Sequence, residues 1–164
     1  MSAKKKLIDL ECSIARALEV VGERWSLLIL RDAFYGVRRF DDFQQDLGVA
    51  RNILTDRLNK LVGHGVLEKT QYEERPPRYE YRLTEKGRDL LPVLLTMMSW
   101  GDRWAGEGVA PPVTLTHTTC GNKTHAVLTC ESCGEELRLG KLRVHPIRIN
   151  VPAEHQHRLQ PVVS

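Results

Sequence analysis

Apolar residues recur at helical spacing through the first two-thirds of the chain. Ile14, Ala17, Leu18, Val21 and Trp25 fall on one stripe, which predicts a helix over 12–22. Segment 24–35 carries Trp25, Leu27, Leu28, Ile29 and Leu30 and is apolar almost all round, so it predicts a buried central helix that Gly36 ends. Phe40, Phe43 and Leu47 mark a short third helix, with Asp41 or Asp42 suited to its positive N-terminal turn. After a turn at Gly48, the residues Ala50, Leu54, Leu58 and Leu61 form the core stripe of a fourth helix over 50–64, closed by Gly63 and Gly65.

The pattern then changes. Segments 66–72 and 78–83 read as strands, and the polar, proline-bearing connection 73–77 makes them a hairpin with an extended tip. Thr84 can N-cap a long helix over 85–105, which Pro92 must kink or break. Helix, helix, short helix, helix, hairpin, helix is the order of a winged helix-turn-helix, so the fold class is mainly α with a small β-hairpin wing. Residues 1–10 form an N-terminal arm and 11–106 the winged-helix domain. Two glycines and two prolines in 106–112 mark a linker, and 113–164 is a small β-rich, ribbon-like extension. No internal repeat is evident from this pass.

With Leu54, Leu58 and Leu61 turned inward, the fourth helix presents Asn52, Thr55, Asp56 and Asn59 outward, flanked by Arg51 and Arg57. Amides, a hydroxyl and arginines on one face suit base edges in a major groove; the rival reading is a solvated surface. Arg75 and Arg78 at the wing tip, and Arg38 and Arg39 before the third helix, suit phosphates, although Glu73 and Glu74 dilute the basic tip. Double-stranded DNA is therefore the expected partner. The net charge of +3, from 24 basic and 21 acidic residues, requires any positive surface to be local. Lys4, Lys5 and Lys6 read as a solvated tail before a contact.

The last helix carries two apolar stripes: Leu90, Leu94, Met97, Gly101 and Trp104, and Leu91, Leu95 and Met98. One covers the domain itself and the second calls for a partner, which makes Leu90, Leu94, Met97, Met98 and Trp104 candidate residues of a homodimer; the rival reading packs both stripes internally. A two-fold pair would address half-sites about 34–36 Å apart on a pseudo-palindromic operator.

No apolar run approaches the ~18 residues of a membrane span, and no signal core opens the chain, so a cytoplasmic location is expected. In that reducing compartment His117-x2-Cys120-x9-Cys130-x2-Cys133 reads as a ligand set for structural Zn2+, with His125 a rival ligand. An unmetallated hairpin, or a Cys130–Cys133 redox pair, is the other reading. Cys12 lies near a helix N-terminus, where the dipole can lower a thiol pKa; the rival reading is a small buried hydrophobe at the dimer base. The chain has no phosphate-binding glycine loop, nucleophile elbow or HExxH motif, and an enzyme is not expected.

Several strings stand in one order: the cysteine opening the first helix, Gly22-Glu-Arg-Trp25, Arg39-Phe-Asp-Asp-Phe43, Leu54-Thr-x-Arg-Leu58-x-x-Leu61, Pro76-Pro-Arg-Tyr-Glu-Tyr81, Leu83-Thr-Glu-Lys-Gly87, and Leu90-Leu-Pro-Val-Leu94 through Trp100-Gly-x-x-Trp104. Over 12–104 the chain resembles the HxlR-type family of winged-helix regulators. The resemblance implies a homodimer with one recognition helix per protomer. It also implies transcription control, often repression, in response to small molecules or oxidants, with Cys12 a candidate oxidant or electrophile sensor. Two positions depart from the family: Ser13 replaces the usual proline, and Ala50 the frequent serine. The alternative function is a zinc-ribbon-bearing interaction module whose winged helix contacts proteins.

Overall fold

The computed structural model describes residues 12–106 and 108–143. The chain divides into two units, with the boundary between Ala105 and Gly106. In unit 1 the order is α1 (Ser13–Val21), α2 (Arg24–Phe34), α3 (Phe40–Leu47), α4 (Arg51–Gly63), β1 (Leu67–Glu74), β2 (Pro77–Leu83), α5 (Glu85–Arg88) and α6 (Leu91–Trp104). Unit 2 contains β3 (Leu115–Thr116) and β4 (Lys123–Thr124).

The core of unit 1 is built largely where the apolar pattern placed it, although Ala50, expected in the core stripe of the fourth helix, is its exposed N-cap residue. Ile29 and Leu30 of α2, Phe43 of α3, Leu54, Leu58 and Leu61 of α4, and Val66 and Leu67 at the start of the wing are fully or almost fully buried. Val21, Val49 and Tyr81 complete this cluster, and Trp25, Leu27, Leu90 and Leu94 pack against its edge. The turn between α3 and α4 depends on Gly48, whose φ of +60° lets its amide reach back to the Gln44 carbonyl at 3.0 Å.

Helix α1 departs from expectation. Ala15 and Val21 are buried, but Ile14 and Leu18 of the predicted stripe are 71% and 46% exposed. Most of that stripe is not consumed by the domain's own core.

Three further differences have physical causes. The wing is tighter than the five-residue tip expected: β1 and β2 pair antiparallel from Leu67↔Leu83 out to Glu74↔Pro77, with an irregularity between Gln71 and Glu73, leaving Arg75 and Pro76 to turn the chain. Pro77 begins β2, a place where a missing amide disturbs no ladder. The helix expected over 85–105 is two helices, because Pro92 in a continuous helix would collide with the turn before it. At the start of α6 its missing N–H costs nothing. Unit 2 does contain a repeat, described below.

The junction between wing and α5 explains the Leu83-Thr-Glu-Lys-Gly87 string. The Thr84 amide donates to the Val66 carbonyl (3.1 Å), its hydroxyl donates to the Gly65 carbonyl (2.7 Å), and the same oxygen accepts from the Gly87 amide (3.1 Å). Gly87 is buried against that carbonyl: a Cβ there would stand 2.2 Å from the Val66 oxygen. The site therefore accepts no side chain without moving backbone. Gly87→Ala is expected to lower unfolding stability by about 1–3 kcal/mol, and Thr84→Ala by about 1 kcal/mol, in urea denaturation. An unchanged midpoint for Gly87→Ala would show that the junction yields.

Candidate nucleic-acid interface

Helix α4 buries Leu54, Leu58 and Leu61 and leaves Arg51, Asn52, Thr55, Asp56 and Asn59 exposed. The predicted outward face is therefore present, with its side chains in different states. Thr55 donates its hydroxyl to the Arg51 carbonyl (2.8 Å), leaving its oxygen as an acceptor. Asp56 is paired with Lys60 (3.1 Å). Arg57 is not a free flank: its side chain is only 16% exposed and reaches Glu23 at 3.2 Å, tying α4 to the residue that opens α2. Its Nη1 lies 3.0 Å from Asp56 but is not aligned for a hydrogen bond.

Arg51 is held in place from α3. Its guanidinium donates to Gln44 Oε1 (2.8 Å) and Asp41 Oδ1 (3.3 Å) and lies 4.8 Å from the centre of the Phe40 ring. The residue before it, Ala50, provides no side-chain cap, so the first amides of α4 are left without that internal partner. This is the local consequence of alanine where the related sequences often carry serine.

The wing brings two more of the predicted arginines to the same place. Arg38 and Arg39 are exposed beside β2: the Tyr81 amide donates to the Arg38 carbonyl (2.8 Å), and Arg39 bridges to Glu80. The Arg39 guanidinium lies 4.9 Å from the centre of the Tyr72 ring, with Nε 3.9 Å from Glu80. Arg78 contacts Glu73 at 3.2 Å, and the Tyr72 side chain and then the Glu73 charge hold its pKa above the usual arginine value. Arg39, Arg51 and Arg78 all line one open cleft of about 390 Å3, together with Phe40, Asp41, Tyr72 and Tyr79. Arg75 stands exposed at the tip, outside this lining. The sequence marks Phe40 only as part of the third helix and does not single out Gln44 and Tyr72. Their positioning role follows from the contact between α3 and the wing, which helical periodicity does not reveal.

On α6 the predicted dimerisation residues separate. Leu90 and Leu94 are half-buried and pack against the edge of the domain's own core. Met98 is half-buried. Met97 and Trp104 are 50% and 64% exposed, and Val93 and Trp100, at 43% and 64%, join them. Val93, Met97, Trp100 and Trp104 stand at i, i+4, i+7 and i+11, a single helical face. Periodicity marks the apolar stripes of α6 but not which of them the domain's own core takes up. Cys12 is the exposed N-cap residue of α1 in the single protomer and makes no side-chain capping bond.

In unit 2, His117 Nδ1 lies 3.4 Å from Cys120 Sγ. The Cys130 thiol pKa is drawn below its ordinary value, first by the Cys133 backbone amide and then by that of Ser132. The predicted ligands thus meet in two pairs; among the described residues no three metal-ligating side chains form one cluster. No helix among the described residues is long and apolar enough to cross a membrane.

Comparison with known proteins agrees with this geometry. Residues 20–109 match the family described as HxlR-like helix-turn-helix. The uncharacterized HTH-type transcriptional regulator Rv3095 of Mycobacterium tuberculosis is 46% identical over 134 residues, covering 82% of this chain and 85% of the relative. Among solved structures, a transcription-factor candidate, PA1374 from Pseudomonas aeruginosa, is 42% identical and covers 90% of this chain and all of its own, with a TM-score of 0.60. The oxidized form of the redox regulator HypR is 32% identical, covers 56% of this chain and 96% of its own, and has a TM-score of 0.52. A winged helix-turn-helix with a polar reading face, matched over more than half its length, identifies the chain as a member of the HxlR-like helix-turn-helix family of transcriptional regulators.

Proposed function

We propose that this protein is a homodimeric repressor that reads a pseudo-palindromic operator with α4. The observation that carries this reading is the exposed row Arg51, Asn52, Thr55 and Asn59, backed by three buried leucines and bordered by a cleft holding Arg39, Arg51 and Arg78. The row offers donors and acceptors to base edges. The uncapped start of α4 suits a phosphate, and the wing arginines, including Arg75, suit the flanking backbone. The competing interaction-module reading has no comparable feature: a protein-binding winged helix needs no such row.

Each cleft arginine already lies against a carboxylate. Exposed ion pairs of that kind contribute only about 0–1 kcal/mol, so exchanging the carboxylate for a phosphate is cheap. Gel shifts on the DNA upstream of the gene are the test. Arg51→Ala and Asn59→Ala are expected to weaken specific binding by about 1–3 kcal/mol each and relax sequence preference. Arg78→Ala should weaken all sequences alike and reduce the salt slope by about 1. Unchanged affinity and preference in both α4 variants would remove the reading head.

The second copy is proposed to cover the Val93, Met97, Trp100 and Trp104 face of α6. Two exposed tryptophans on one helical face are costly to leave in water. Ile14 and Leu18 of α1 offer further apolar surface for the same purpose. The double substitution Met97→Glu with Trp100→Glu should convert the protein to monomers in light scattering and weaken operator binding with it. Dimers that persist would relocate the interface.

Cys12 is proposed as the input, by oxidation or electrophile addition at its exposed thiol. A small-molecule effector is the other input implied by the family. Either would act by changing the spacing of the two α4 helices, which weakens two half-site contacts at once. Peroxide is expected to release operator DNA from the wild type and not from Cys12→Ser. Equal release from both would take the sensor away from Cys12.

A further inference from the structure

We infer that unit 2 is a structural zinc site in which two equivalent turns each give two ligands to one Zn2+: His117 and Cys120 from the first, Cys130 and Cys133 from the second. The strings Leu115-Thr-His117-x-x-Cys120-Gly121 and Leu128-Thr-Cys130-x-x-Cys133-Gly134 are one motif repeated thirteen positions on.

The backbone repeats with it. The Gly121 amide donates to the His117 carbonyl at 2.8 Å, and the Gly134 amide to the Cys130 carbonyl at 2.8 Å. The His117 amide donates to Asn122 at 2.9 Å, and the Cys130 amide to Glu135 at 2.8 Å. Both glycines are left-handed, with φ of +72° and +73°. The flanking residues pair in the same register, Thr116↔Lys123 and Thr129↔Glu136. A turn that brings residues i and i+3 together with a left-handed glycine behind them is suited to hold two ligands on one ion. Two such turns supply a tetrahedral set of three thiolates and one imidazole.

A second observation points the same way. Among the described residues of unit 2 none is buried, and only Gly106, Leu115, Ala126 and Cys130 are even half-buried. A pair of short hairpins without an apolar core lacks the usual source of stability, and a metal cross-link is one of the few substitutes. The ligating side chains meet in pairs; an ion drawing both pairs together would provide the closure. Four protein ligands leave no open position, so the site would be structural and not catalytic. The repeat also decides between the two histidines. His117 stands where the second turn has Cys130, whereas His125 stands where it has Arg138.

The test uses the full chain refolded with Zn2+ and measured by native mass spectrometry and metal analysis. One zinc per chain is expected. It should be lost in Cys130→Ser/Cys133→Ser and in His117→Ala/Cys120→Ser, and kept in His125→Ala. A metal-free chain, zinc retained by either double variant, or zinc lost with His125, overturns the assignment. Because a ligand variant may lose metal simply by misfolding, the wild type is also loaded with Co2+. Visible bands of a tetrahedral ion with thiolate charge transfer are expected, and a weak octahedral spectrum refutes the site. None of these readouts depends on operator binding.

Discussion

Within unit 1, the orientation of the helices after the wing rests on one carbonyl oxygen, that of Val66. It ends the α4 turn, starts the wing, accepts the Thr84 amide as the wing returns, and meets the Gly87 backbone at a distance that leaves no space for a side chain. The start of the wing is thus fixed to its return and to α5, about twenty residues later, at one point. Helix α6 leaves from just beyond this point, so the angle between the reading helix and the proposed dimer helix is set here and not along either helix. The close approach of Gly87 to Val66 is backbone to backbone, and the Thr84 hydroxyl braces it from both sides; a methyl group forced between Gly87 and Val66 disturbs it most.

The reading surface is built on a different principle. Its arginines are not buried; they are held by planar neighbours and by weak ion pairs. Arg51 stacks on Phe40 and Arg39 on Tyr72, with carboxylates from Asp41 and Glu80 alongside. Flat rings restrict a long flexible side chain at little electrostatic cost; the exposed Asp41 carboxylate releases Arg51 readily, and Glu80, 3.9 Å from Arg39 and bonded to Arg82, holds Arg39 only loosely. The consequence is a surface close to neutral overall, with charge that becomes available locally. This accounts for a net charge of only +3 in a chain whose α4 face suits a polyanion.

What could be read from the sequence follows from which forces act locally. Leu54, Leu58 and Leu61 announce the buried side of α4, so its outward residues follow by geometry alone. Thr84 as a cap was legible for the same reason: the capping bond spans only three residues. The errors lie where long-range contacts decide. Arg57 looks like a surface arginine until Glu23 is brought to it by the packing of α2 on α4. Leu90 and Leu94 look like part of a partner-facing stripe until tertiary packing sets them against the edge of the core. The repeat in unit 2 escaped notice because histidine replaces cysteine at its first ligand position, hiding by residue identity what is plain in backbone hydrogen bonding.

The position of Cys12 constrains how a chemical signal could reach DNA. It caps α1, the helix whose Ile14 and Leu18 the core leaves exposed, and it takes no part in the α3–α4–wing surface. A polar group added to its sulfur therefore cannot change base contacts directly. It can act on whatever covers the exposed side of α1. If a second copy covers it, two modified thiols flank an apolar interface, each adding a desolvation penalty of the order of 1–3 kcal/mol to association. The signal would then be transmitted as altered spacing between two otherwise intact reading heads. Modification should lower affinity for a two-site operator while leaving contact with an isolated half-site almost unchanged.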